Sequence, residues 1–316
     1  MNFLSACVVF ACAACESNGG PSSARDAGAS DAGATSDTGA TRDVYDESLD
    51  DVDLPPEDVP PCTVRPDAAG VTCVLQVRGT ARDDTGTPLG EHVITVCGPA
   101  CFVTRTAPDG SFVTPVGDFL DPSIYTVLVH GRPDHASLYV ALAPVVDRVA
   151  TFAEPLVVPR YTQSGDLFPD LARGGSVTAG DVTLTVPAGA TLEFDLEDAL
   201  LGDLGRRFRV APVPIDRAPR FARDAGVVAL WALAPFNLLA SPKLAARVAN
   251  RAGMAPNAAV DFVVMGQEGL VPPLTAGRAI VAAAGHVSAD GMSITTDPGE
   301  GISYVTWLGV RPHAAR

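Results

Sequence analysis

Residues 71–113 read VTCVLQVRGTARDDTGTPLGEHVITVCGPACFVTRTAPDGSFV. Short runs rich in Val, Ile and Thr alternate with clusters of Gly, Pro and Asp, and no run carries a helical apolar period. VTCVLQVRGTAR (71–82) predicts a strand ended by Asp84-Thr85-Gly86-Thr87-Pro88. EHVITVC (91–97) and CFVTRT (101–106) predict two more, joined at Gly98-Pro99-Ala100. SFVTPV (111–116) follows Pro108-Asp109-Gly110, where glycine supplies the positive φ that a tight turn needs. IYTVLVHG (124–131) and SLYVALAPV (137–145) continue the series, and VATFAEPLVV (149–158) is expected as an edge strand. Strands at this spacing with turns between them mean a β-sandwich, assigned to residues 62–160.

The same pattern extends to residues 161–316, so the chain reads as all-β, with two β-sandwich-type domains. In GGSVTAGDVTLTVPAGAT (174–191), Val182, Leu184 and Val186 point one way and Thr183 and Thr185 the other, a half-buried strand. GVVALWAL (226–233), AAVDFVVM (258–265), GRAIVAAAGHVSADGMSITT (277–296) and ISYVTWLGV (302–310) are further strand candidates. LLASPKLAARVANRAGM (238–254) is rich in the helix formers Ala, Leu and Arg, but Pro242, Asn250 and Gly253 cut it short. Its β neighbours favour strand plus turn.

Ahead of these domains the composition changes. Between Glu16 and Pro61 stand twelve acidic residues and two basic ones, Arg25 and Arg42, so this segment holds −10 of the chain's formal −15. Its Asp-Ala-Gly-like units offer too little apolar surface to offset ordering entropy, which predicts a disordered linker over 15–61. A flexible chain of this length spans on the order of 40 Å. Such acidity argues against nucleic acid as a partner.

Phe3 to Ala14 form an apolar run too short to cross a bilayer, of the length of a secretory h-region. Small residues Ala13 and Ala14 precede Cys15, and the arrangement resembles the lipobox of bacterial lipoproteins. The resemblance implies a signal peptide over 1–14, lipid on Cys15 and a membrane partner. Cys7 has too few residues before it to serve. Glu16 beside the lipidated cysteine points to the outer membrane of a Gram-negative-type cell envelope, facing periplasm or medium.

Of seven cysteines, four then remain for the folded part: Cys62, Cys73, Cys97 and Cys101. An even number outside the cell predicts disulfides. Three pairings are open, and Cys62–Cys73 with Cys97–Cys101 is the most local.

Two further resemblances bear on fold. GTARDDTGTPLGEHVITVCG, TRTAPDGSF and YTVLVHG, in that order within 72–145, resemble the carboxypeptidase regulatory-like (transthyretin-like) domain. The resemblance implies a non-catalytic module that serves as spacer or adhesion unit. GGSVTAGDVTLTVPAGAT resembles the opening of ZU5-like β-domains.

The residues give no familiar catalytic set. HExxH, HxxE, GxSxG, GxGxxG and the P-loop are absent. His130 and His135 flank Asp134 in HGRPDH, which reads as a solvated loop. Cys73-Val74-Leu75-Gln76 has thioester spacing but lies in a strand. FDLEDALLGD (194–203) clusters Asp195, Glu197, Asp198 and Asp203, hard ligands for calcium, the sole cofactor considered; an acidic surface loop is the alternative. Trp231 and Trp307 offer faces for a glycan, but Trp307 lies in a run apolar on both faces and reads as core. The expectation is a non-catalytic surface lipoprotein, structural or adhesive, with a surface protein or glycan as partner. The rivals are a hydrolase built on Asp261, His286, Ser288 and Asp290, and a glycan or small-ligand binder in the C-terminal domain.

Overall fold

The computed structural model describes Cys62 and residues 70–131, 133–266 and 277–313. The signal peptide, Cys15 and the acidic linker lie outside the described residues. The described chain is all-β.

The first set of strands is β1 (Thr72–Arg82), β2 (Val93–Cys97), β3 (Cys101–Arg105), β4 (Ser111–Leu120), β5 (Thr126–Val129), β6 (Leu138–Ala141), β7 (Val145–Val146), β8 (Val149–Thr151) and β9 (Leu156–Val157). They form two sheets, one ordered β4-β1-β8-β7 with β9 also on β1, the other β3-β2-β5-β6. Alternation sends one row inward, so Ile94 and Val96 of β2 and Val127 and Val129 of β5 have no exposed surface; Val74 and Val77 of β1 are both buried across a register shift between Val74 and Gln76. The turn at Asp109-Gly110 forms as its residues dictate. Gly110 sits at φ +79°, where a Cβ would lie 2.4 Å from the Ala81 carbonyl oxygen, and the Asp109 carboxylate accepts from the Ser111 amide at 2.9 Å. Among the described residues the disulfides are Cys62–Cys73 and Cys97–Cys101.

VATFAEPLVV is an edge only in part: β9 pairs with β1 alone, but β8 does not lie at an edge. Its β8 portion runs parallel to β1 and lies inside the sheet, between β1 and β7. The reason is the two-residue turn at Asp147 and Arg148, both at positive φ, which folds β7 back as the outer strand.

The second set is β10 (Gln163–Leu167), β11 (Gly175–Ala179), β12 (Val182–Val186), β13 (Thr191–Glu193), β14 (Arg207–Val213), β15 (Ala229–Ala234), β16 (Leu238–Ala249), β17 (Ala259–Met265), β18 (Ala279–Val287), β19 (Ser293–Thr296), β20 (Ile302–Val305) and β21 (Trp307–Pro312), with short helices α1 (Leu196–Leu200) and α2 (Arg220–Asp224). The main path is β10-β14-β15-β21-β17-β18-β19-β16-β12-β11, and its two ends approach each other. At that seam the Asp166 carboxylate accepts from the Thr178 amide at 3.3 Å, and Gly165 lies so close that a Cβ would stand 1.9 Å from the Thr178 carbonyl oxygen. The sheet is thus curled into a nearly closed barrel, filled by Phe208, Trp231, Leu233, Leu244 and Phe262. The segment with helix-forming composition is β16: Leu244, Ala246 and Val248 alternate inward, and its two halves pair with different neighbours, β13 and β20 first, then β12 and β19.

The sandwich and the barrel share a core. Trp307, Phe221, Phe236, Val263 and Met265 of the second set belong to the same apolar cluster as Val74, Ile94, Leu138 and Val158 of the first.

Candidate functional site

A group of polar and aromatic side chains lies where sandwich and barrel meet. From the sandwich come His92 just before β2, His130 after β5, and Ser137 and Tyr139 at β6. From the barrel come Asp195, Glu197 and Asp198 at α1, Arg209 on β14, Phe236 and Asn237 before β16, and Trp307 on β21.

Their partners are specific. His130 Nδ1 lies 3.1 Å from Glu197 Oε1, and its Nε2 lies 3.3 Å from the Thr95 hydroxyl. A carboxylate only accepts, so the Nδ1 position carries the proton. His92 Nδ1 lies 2.9 Å from the His130 carbonyl oxygen, and the His92 and His135 rings meet edge-on at 5.6 Å. Burial pulls the His135 pKa below the usual imidazole range, with the nearby His92 adding to the fall. Asn237 Nδ2 donates to the Tyr139 hydroxyl at 3.1 Å and to Asp195 Oδ2 at 3.3 Å, while the Tyr139 and Phe236 rings stack at 5.6 Å. The Trp307 indole N–H donates to the Ser137 carbonyl at 2.7 Å, and the Tyr161 hydroxyl donates to the Leu233 carbonyl at 3.1 Å. Arg209 donates to the Pro133 carbonyl and stacks over the Tyr161 ring, 4.8 Å from its centroid.

The acidic stretch 194–203 is not a solvated loop. It contains α1, whose N-cap is Asp195, accepting from the Glu197 amide at 3.2 Å. Asp198 has no exposed surface and accepts from the Phe236 amide at 2.9 Å. Asp203 lies on the exposed turn beyond the helix. The four acids proposed for calcium are therefore spread over a cap, an ion pair, a buried backbone contact and solvent. Among the described residues no group of three or more His, Cys, Asp or Glu converges as a metal site would require.

The residues of the hydrolase reading are dispersed as well. His286 Nδ1 bonds Asp297 Oδ1 at 2.7 Å. The Ser288 hydroxyl donates to Asp290 Oδ1 at 2.6 Å and accepts from the Ser293 amide at 3.0 Å, in an ordinary turn closure. Asp261 is buried and held by Arg311 Nε at 3.0 Å and His313 Nδ1 at 2.6 Å. Burial pushes the Asp261 carboxyl up, but the bonds from His313 and Arg311 outweigh it, and the group lies below the usual carboxylate range. Hydrogen bonds to Ser288 and Met292 hold Asp290 low too. The nucleophile–base hydrogen bond of covalent catalysis does not form between Ser288 and His286.

Trp231 and Trp307 are 0% and 1% exposed, so neither offers a ring face to a sugar. His130 and His135, read as part of a solvated loop, instead lie at the joint. The pairing of His130 with Glu197 spans 67 residues, and no local pattern marks it. The same holds for the burial of Arg209.

No protein-family model matches the chain, and no curated protein matches it.

Proposed function

We propose that the chain is a non-catalytic, lipid-tethered module of the bacterial cell envelope, serving structure or adhesion. The observation that carries the reading is the single core shared by sandwich and barrel. Apart from two N–H groups of Arg209, polar side chains at their joint bond to each other and to backbone, as expected of a rigid body for presentation rather than of a cleft for turnover. The motifs that resemble a carboxypeptidase regulatory-like domain lie in the sandwich, and those like a ZU5 opening lie in β11 and β12. Both agree with a spacer or adhesive role. Lipid on Cys15 and the acidic segment 16–61 supply the tether, outer-membrane placement follows from Glu16, and the partner is a surface protein or glycan.

Intact mass of the membrane-extracted protein tests the tether. The expected species lacks residues 1–14, carries lipid mass on Cys15 and has two disulfides. An unmodified Cys15 overturns the anchoring. Hydrolysis of ester or glycoside substrates by the purified chain would overturn the non-catalytic assignment.

A further inference from the structure

Arg209 projects from β14 on the outer wall of the barrel into the joint, beneath the turn that contains Pro133. It is 5% exposed. One arm of its guanidinium, Nη1, donates to the Pro133 carbonyl, and one face lies over the Tyr161 ring. Nε and Nη2 are screened from solvent and have no hydrogen-bond partner among the described residues. No described carboxylate pairs with this charge. A buried cation is ordinarily paired with an anion, because leaving water uncompensated is costly.

The identity of the two open donors matters. Guanidinium is planar, and the N–H of Nε runs parallel to one N–H of Nη2 along the same edge. That edge is the fork that meets the two oxygens of a carboxylate, phosphate or sulfate side by side. The residue's only neutral acceptor occupies the other arm, so the bidentate edge is the part left open. Tyr161 and Pro133 fix the plane of the fork, which limits the entropy lost on binding.

We infer that the joint between sandwich and barrel is a binding site for one oxyanion, held bidentately by Nε and Nη2 of Arg209. The ligand class is a carboxylate-bearing or sulfate- or phosphate-type group. This site is independent of the tether and of the non-catalytic assignment. It gives the rigid joint a small-ligand function.

The test is calorimetric titration of the full chain with sodium acetate, sodium sulfate and inorganic phosphate. Ionic strength is held constant with sodium chloride. The expected result is saturable binding of one ion per chain, with the preferred arm distinguishing a planar carboxylate from a tetrahedral oxyanion. A shift of the Arg209 Nε–H resonance should follow the same isotherm. Arg209→Met should abolish binding, and Arg209→Lys, which keeps the charge but not the fork, should weaken it at least tenfold. Absence of saturable binding in all three arms overturns the proposal, as does unchanged affinity in either variant. If the variants do not fold, the wild-type titration with the Arg209 resonance decides: an isotherm that leaves that resonance unmoved overturns the site.

Discussion

Replacing Trp307 with alanine tests whether sandwich and barrel form one cooperative unit. The indole is 1% exposed, packs edge-on against Phe221 at 6.0 Å, and reaches across the joint to the Ser137 carbonyl. Truncating a buried Trp to Ala costs about 3–5 kcal/mol. Stranding the Ser137 carbonyl adds about 1 kcal/mol. For a folded unit of this size the sum lowers Tm by roughly 10–20 °C. Because the apolar cluster around Trp307 is continuous with Ile94, Val127 and Leu138, the loss should be felt by strands distant in sequence. Native-state hydrogen exchange followed by mass spectrometry reads this strand by strand. Protection in β2 and β5 of the sandwich should fall with that of β15 and β21 of the barrel, by about a thousandfold in the most protected amides. If peptides from β2 and β5 keep their protection while β21 loses it, the shared core does not couple the two sets, and the rigid-body reading fails.

Gly165→Ala should strain the barrel seam, because its Cβ would collide with the Thr178 carbonyl; a loss of about 1–3 kcal/mol in urea denaturation is expected. Cys97→Ser with Cys101→Ser opens a short loop and should cost about 2 kcal/mol, whereas the Cys62 and Cys73 pair, which closes a longer one, should cost about 3 kcal/mol. Asp261 has a lowered carboxyl pKa, so its stabilisation is fully present above the unfolded value of about 3.9 and is lost as pH falls through the folded one. Asp261→Asn should flatten that acid limb in melting curves taken between pH 5 and pH 2. His135, held neutral by burial, has the opposite charge type: the unfolded chain takes up its proton first, so stability declines as pH falls below about 6.5. His135→Gln should reduce that decline.

Much of the architecture was legible in short segments. EHVITVC and CFVTRT alternate apolar and polar residues around a Gly-Pro-Ala turn, and they are a hairpin with Cys97 opposite Cys101. GDVTLTV alternates likewise and is β12. In LLASPKLAARVA the β neighbours argued against the helix-forming composition, and the segment is one continuous strand, β16, through Pro242. The β8 half of VATFAEPLVV misled, while its β9 half pairs with β1 alone, because an edge is assigned by which strand lies outermost. That depends on the positive-φ turn at Asp147 and Arg148, where Asp147 is a common turn residue but Arg148 carries little turn signal. The acidic run at 194–203 misled in the same way: charge predicts solvent, but Asp198 is covered by a segment more than thirty residues on that offers it the Phe236 amide.

By itself the sequence determined an all-β chain, several of its turns and the even set of cysteines from which the two local disulfides form, because each of these depends on residues a few positions apart. Only the tertiary structure decided that the second sheet curls toward closure, that Trp307 belongs to the core of the preceding strands, and that Arg209 is buried with two donors open. Those outcomes arise from contacts between residues scores of positions apart. Side-chain period tells which face a residue takes, and it is silent on what that face will meet.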